Sequence, residues 1–162
     1  MNDQTQTRGI IDLINSYLAG PVELRAAVKG MSAEQVRTRP IEGKWSTLEV
    51  VCHLADFEPI QADRMKRVIA EDKPQLIGAD ENEFAAKLRY DQRDLEEELR
   101  IIELTRGQLG RILKTLPAEA FSRTGLHNER GEVTLTRLLE YATKHIPHHT
   151  QFILEKRKAL GL

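Results

Sequence analysis

Apolar residues recur at helical spacing along four long stretches of the chain, and no stretch reads convincingly as a strand. That pattern points to helix packed on helix. Ile10, Leu13, Ile14, Tyr17 and Leu18 predict a helix over about residues 6–19. Gly20-Pro21 is expected to break it, with Pro21 opening a short helix that Gly30 closes. Ser32 starts a further turn. Ser46-Thr47-Leu48-Glu49 is a capping box, and Trp45 with Val50 can staple it. The helix it opens runs to about Ala70 on a stripe of Leu48, Val51, Leu54, Ala55, Ala62, Met65 and Ile69. Residues 71–90 read as a long connection with a helical turn or two at 82–88. A third long helix is predicted over about 91–116, with Leu95, Leu99, Ile102, Leu109 and Leu113 inward and Arg106 interrupting the stripe. Residues 117–133 read as a loop, and Thr134 can cap a last helix reaching about Lys158. The fold class expected is all-α, a four-helix bundle with short accessory helices.

Composition excludes several classes of function. The chain has 162 residues, 40% of them apolar and 30% charged, enough for a sizeable core in one domain. A net charge of −1 gives no electrostatic footprint for nucleic acid or an anionic membrane. No apolar run reaches the length of a membrane span, and the N-terminus lacks a signal-peptide pattern. Cys52 is the single cysteine, so no internal disulfide can form. A cytoplasmic protein is expected on these grounds.

The last helix carries the chemistry. KHIPHHTQFI (144–153) holds three of the five histidines. His145 and His149 are four apart, so on a helix they share one face, the spacing two imidazoles need to hold one metal ion. His149 falls near the middle of the stripe Leu135, Leu138, Leu139, Ala142, Ile146 and Ile153, with His145 beside it and His148 at the edge. A core-facing imidazole needs a partner for its ring nitrogen, and a metal, a carboxylate or a carbonyl would each serve. Pro147 lies between the pair and predicts a kink or widened turn. His53 shares a flanking face of its helix with Phe57 and Ile60. Together with His145 and His149 it could supply three metal positions and leave the rest open to water or substrate, as in catalytic sites. A histidine cluster satisfied by carboxylates is the competing reading.

Residues 43–58, GKWSTLEVVCHLADFE, and 145–153, HIPHHTQFI, resemble the two conserved-order motifs of the DinB-like and YfiT-like metal-binding four-helix bundles. The similarity extends through ENEFAAKLRY, the third helix and the HNERGEVTL loop. The resemblance implies an up-down-down-up bundle, often a homodimer. It implies a divalent metal on His53, His145 and His149, nickel or zinc with manganese as a further option, and leaves His148 outside the ligands. Phe57 departs from the serine common in the family. Members of the superfamily are described as hydrolases, low-molecular-weight thiol transferases and a thiol-dependent isomerase. The expected function is therefore a metal-dependent transferase or hydrolase for small molecules, with a low-molecular-weight thiol as co-substrate. A non-catalytic metal-binding or stress-response module is the alternative.

Three further residues are candidates around the metal. Asp56, one turn from His53, could orient that ring or be simply solvated. Arg106 could reach into the site and hold an anionic group, against a snorkelling side chain or an ion pair. His127 could approach the metal mouth from its loop. Cys52 lies about 100° round the helix from His53 and reads as a small core residue.

Overall fold

The computed structural model describes residues 3–162. Its helices are α1 (Asp3–Val28), α2 (Ala33–Arg37), α3 (Thr47–Ala70), α4 (Glu81–Lys87), α5 (Leu95–Leu113) and α6 (Leu135–Ala159). The expected capping box at α3 forms, and Thr134 caps α6 by accepting from the Arg137 N–H. The Ser46 Oγ accepts from the Glu49 N–H while the Glu49 carboxylate takes the Ser46 N–H at 2.7 Å. Ser32 and Gln35 repeat the exchange at the start of α2. Asp94 caps α5 through the N–H groups of Glu96 and Glu97, so that helix begins at Leu95, later than the sequence suggests, and a 3₁₀ turn fills Tyr90–Gln92.

Side-chain bridges reveal how the four long helices are wired. Arg25 on α1 bonds Glu96 and Glu103, while Leu18 meets Gly110, so α1 and α5 are antiparallel. Arg157 donates to the carbonyls of Ala27 and Lys29, and Gly20 faces Ile146, so α1 and α6 run together. Glu58 meets Arg106 and Lys66 meets Gln108, so α3 and α5 are parallel. Trp45 and Val50, at the start of α3, pack in one apolar cluster with Ile153, near the end of α6, so these two are antiparallel. The result is an up-down-down-up bundle in which α1 and α3 each pack on both α5 and α6.

Gly20-Pro21 does not break α1. The helix passes through both, although proline cannot donate to the Tyr17 carbonyl. Arg106 Nη1 donates to that carbonyl at 2.7 Å instead. A Cβ on residue 20 would lie 2.5 Å from the same Nη1, so glycine leaves the notch through which the guanidinium arrives. α3 runs through Pro59 and α6 through Pro147, each as one helix.

The connections also contain strands where the sequence suggested only loop. β1 (Gln75–Leu76), β2 (Thr124–His127) and β3 (Gly131–Thr134) form a small sheet in that order. Gln75 and Leu76 pair in parallel with Leu126 and His127, and β2 and β3 form an antiparallel hairpin. Two to four residues are too few to leave a strand period in the sequence. The sheet ties the α3–α5 connection to the α5–α6 connection at one end of the bundle. No helix among the described residues is long and apolar enough to cross a membrane.

Candidate metal centre

α3 and α6 cross at His53, His145 and His149. One ligand atom from each ring lies within 4.8 Å of the others. The Nε2 atoms of His53 and His145 are 3.1 Å apart. Two nitrogens bound to one ion at ~2.1 Å would be separated by about 3.0 Å at a right angle and about 3.4 Å at the tetrahedral angle. The separation of this pair fits a shared ion, and the 4.8 Å spread of all three requires a small ring movement to close on it. His148, one residue before His149, is exposed and stands outside the group.

The rings are held in an aromatic surround. Phe57 packs on His53 at 4.6 Å between centroids, Trp45 at 5.4 Å, and Phe152 on His149 at 5.6 Å. Burial pushes His53 down to about 4, with Asp56 opposing. Burial also pushes His145 down to about 2 and His149 to about 3, and neighbouring rings lower both further. All three are therefore neutral imidazoles at physiological pH, the form that binds a metal. The Nδ1 atoms of His53 and His149 are buried without a hydrogen-bond partner among the described residues.

Gln61 completes the arrangement and was not singled out from the sequence. Its side-chain amide lies 3.0 Å from His145 Nδ1, with Nε2 the nearer atom, and its Oε1 has no partner. Turning the amide over would let that oxygen accept from an Nδ1–H and free Nε2 for a metal, the usual arrangement behind a histidine ligand. The signal was present in the spacing: residues 53, 57 and 61 follow one another at four-residue steps on one face of α3. Glu81, at the first turn of α4, places a carboxylate oxygen 3.8 Å from His53 Nε2.

Two candidates have other work. Asp56 does not hydrogen-bond His53. Both its oxygens accept from Arg93, at 2.8 and 2.9 Å, and Arg93 also binds Glu98. Arg106 does not present a free guanidinium to the cavity. It is fully buried, and its three nitrogens donate to Glu58 Oε2, the Tyr17 carbonyl and the Ala142 carbonyl at 2.9, 2.7 and 2.6 Å. Tyr17 Oη donates to the other Glu58 oxygen at 2.6 Å. One arginine thus links all four long helices beside the histidines. His127 lines the same cavity from β2 but is not among the three clustered rings, and its Nδ1 accepts the Glu129 N–H. Cys52 is fully buried, with burial raising its thiol to about 12.

The histidines open onto a cavity of about 930 Å³. It follows α6 from Leu138 to Lys156 and α3 from Val50 to Arg64, so it extends to both sides of the three rings. The α3–α5 and α5–α6 connections supply its wall at one end, through Gly78, Glu81, His127 and Arg130 among others.

This fold and this histidine arrangement define a class. The DinB superfamily model matches residues 17–153, and the chain belongs to that superfamily. Among individual relatives, a Geobacillus thermodenitrificans protein named "Putative metal-dependent hydrolase" is 31% identical over 142 residues, 87% of this chain and 80% of its own length. "Putative metal-dependent hydrolase YfiT" of Bacillus subtilis is 28% identical over the same shares. The solved structure of Bacillus subtilis YfiT, described as a probable metal-dependent hydrolase with an unusual four-helix bundle topology, superposes with a TM-score of 0.86. It is 25% identical in sequence, and the match covers 99% of this chain and 90% of that one.

Proposed function

We propose that the protein is a metal-dependent enzyme for small molecules, in which His53, His145 and His149 would hold a divalent ion and a thiol, giving up its S–H proton, forms a C–S bond to an electrophile whose leaving group departs. A divalent ion held by three neutral imidazoles supplies Lewis acidity, lowering the pKa of a bound thiol or water and polarising an electrophile. Nickel, zinc and manganese all remain compatible with imidazole donors, because three such nitrogens do not select one metal. Gln61 orients His145, and Phe57, Trp45 and Phe152 keep bulk water off the rings. Glu81 is the carboxylate placed to accept the proton that the nucleophile gives up.

The observation that carries this reading is the cavity's reach to both sides of the histidines, room for two reactants to meet at the ion. The cluster holds three members and no fourth among the described residues, which favours an open site over a closed, non-catalytic one. Hydrolysis is the second reading. It is favoured by the names of the relatives and by Glu81, which could equally take a proton from water. A homodimer is part of the same proposal, and light scattering on the metal-loaded protein checks it.

The test compares metal-loaded wild-type chain with His149→Ala. Each is given low-molecular-weight thiols with an electrophile, and separately a panel of esters and amides. Thiol consumption by the wild type alone supports transfer, and cleavage without thiol supports hydrolysis. Equal turnover by the two proteins would remove the ion from the chemistry.

A further inference from the structure

One arm of the cavity contains a cation that the metal chemistry does not use. Lys156 is 3% exposed and lines the cavity two turns beyond His149 on α6. Its Nζ donates to the Phe152 carbonyl of its own helix at 3.1 Å. The ammonium also lies 5.9 Å from the centroid of the Phe152 ring. An ammonium has three donors, so this accounts for one of them. No carboxylate among the described residues lies within 4.0 Å of it.

That isolation is unusual for this chain. Arg106, the other fully buried cation among the described residues, closes on the Glu58 carboxylate. A buried charge without a counter-charge is costly, and burial lowers the Lys156 ammonium from the ordinary lysine range. The helix dipole favours a cation in the last turn of α6, but the exposed Lys158 meets that need without burial. Folding the side chain back to the Phe152 carbonyl brings the ammonium roughly 5–10 Å along the axis from His149. Lys44 lines the same arm and adds positive charge, with Glu155 on the rim and Glu49 on α3 opposing it.

We infer that Lys156 anchors a carboxylate on the small molecule whose other end reaches the histidine centre. The substrate class is then an ω-carboxylate, with the reacting sulfur roughly 5–10 Å from the acid group. This rests on the thiol reading above, and the experiment separates the two.

The full-length chain is loaded with cobalt(II) and titrated with 3-mercaptopropionate and 6-mercaptohexanoate, and with the alcohols of the same length. The thiolate-to-cobalt absorption band reports binding without turnover. At one of the two lengths the acid is expected to bind about tenfold or more tightly than its alcohol, the scale of a hydrogen bond between charged groups. Lys156→Met should bring that ratio to about one, while Lys156→Arg keeps it. A ratio near one in the wild-type chain, or a ratio that survives Lys156→Met, overturns the anchor alone. A chain that takes up no cobalt, or whose spectrum ignores every thiol, overturns the thiol reading and the anchor with it.

Discussion

The Nε2 atoms of His53 and His145 face each other at 3.1 Å across the α3–α6 interface. That contact accommodates one proton between two rings. Protonating both would set N–H against N–H in a buried site, which adds to the cost of desolvation. Burial is the first cause of the three depressed values of about 4, 2 and 3, and neighbouring rings add to it at His145 and His149.

A pH dependence results. The folded rings titrate below the ordinary histidine value of 6.5, so beneath that pH the unfolded chain binds more protons. The stability contributed by neutral rings is complete above about pH 6.5 and is lost as pH falls toward their folded values. Urea midpoints of the metal-free protein should drop between about pH 7 and about pH 4.5. His145→Gln should flatten that slope.

Gln61→Leu should weaken metal binding by about 10–100-fold while leaving the fold intact. His53→Ala should do more, reducing retained metal from about one ion per chain to a small fraction. Elemental analysis after dialysis against a graded chelator measures both. Equal metal retention by Gln61→Leu and wild type would leave the amide without a role behind His145.

Arg106→Met should cost about 3–5 kcal/mol of unfolding free energy, because it strands the Glu58 carboxylate in the core. Equilibrium denaturation reads the loss. Adding Glu58→Gln should return part of it, since the uncompensated charge is then gone.

Gly20→Ala offers a test whose sign is informative. Helix propensity alone makes alanine better than glycine by about 1 kcal/mol. The added Cβ would sit 2.5 Å from Arg106 Nη1, however, so the variant should be less stable than wild type by about 1–3 kcal/mol. In an Arg106→Met background the same change should become neutral or stabilising.

Cys52 should resist iodoacetamide in the native protein and react once urea is added. The thiol is fully buried and raised to about 12, so almost no thiolate forms at neutral pH. Mass spectrometry of the alkylated chain gives the answer directly.

Local signals were legible in the sequence. The Ser46–Glu49 capping exchange spans three residues and was visible without knowledge of the rest of the fold, as was the helical start at Ser32. The four-residue step between His145 and His149 placed two rings on one face for the same reason. What failed to show depended on distant partners. Gly20-Pro21 reads as a helix break because the group that satisfies the Tyr17 carbonyl is 89 residues away. Asp56 stands one turn from His53, yet Arg93, 37 residues on, claims both its oxygens. Arg106 stood open between a ligand contact and an ion pair, and the ion pair with Glu58 is what forms, because an arginine on an apolar stripe is ambiguous until its acceptors are in place. The strands were too short to have a period, and the β1–β2 pairing brings together segments about 50 residues apart in the chain.

The up-down-down-up wiring has a consequence for how such a protein can diversify. Because α3 and α5 are parallel neighbours, the chain must travel the length of the bundle between them, and that return path carries Glu81 and Phe84. The small sheet docks the next connection, with His127 and Arg130, against it. The groups that would greet an incoming molecule at this end therefore sit on segments free to change length and composition, while the imidazoles ride on two helices locked by Arg106. New chemical preferences can be acquired there by rewriting the roof and leaving the pillars alone.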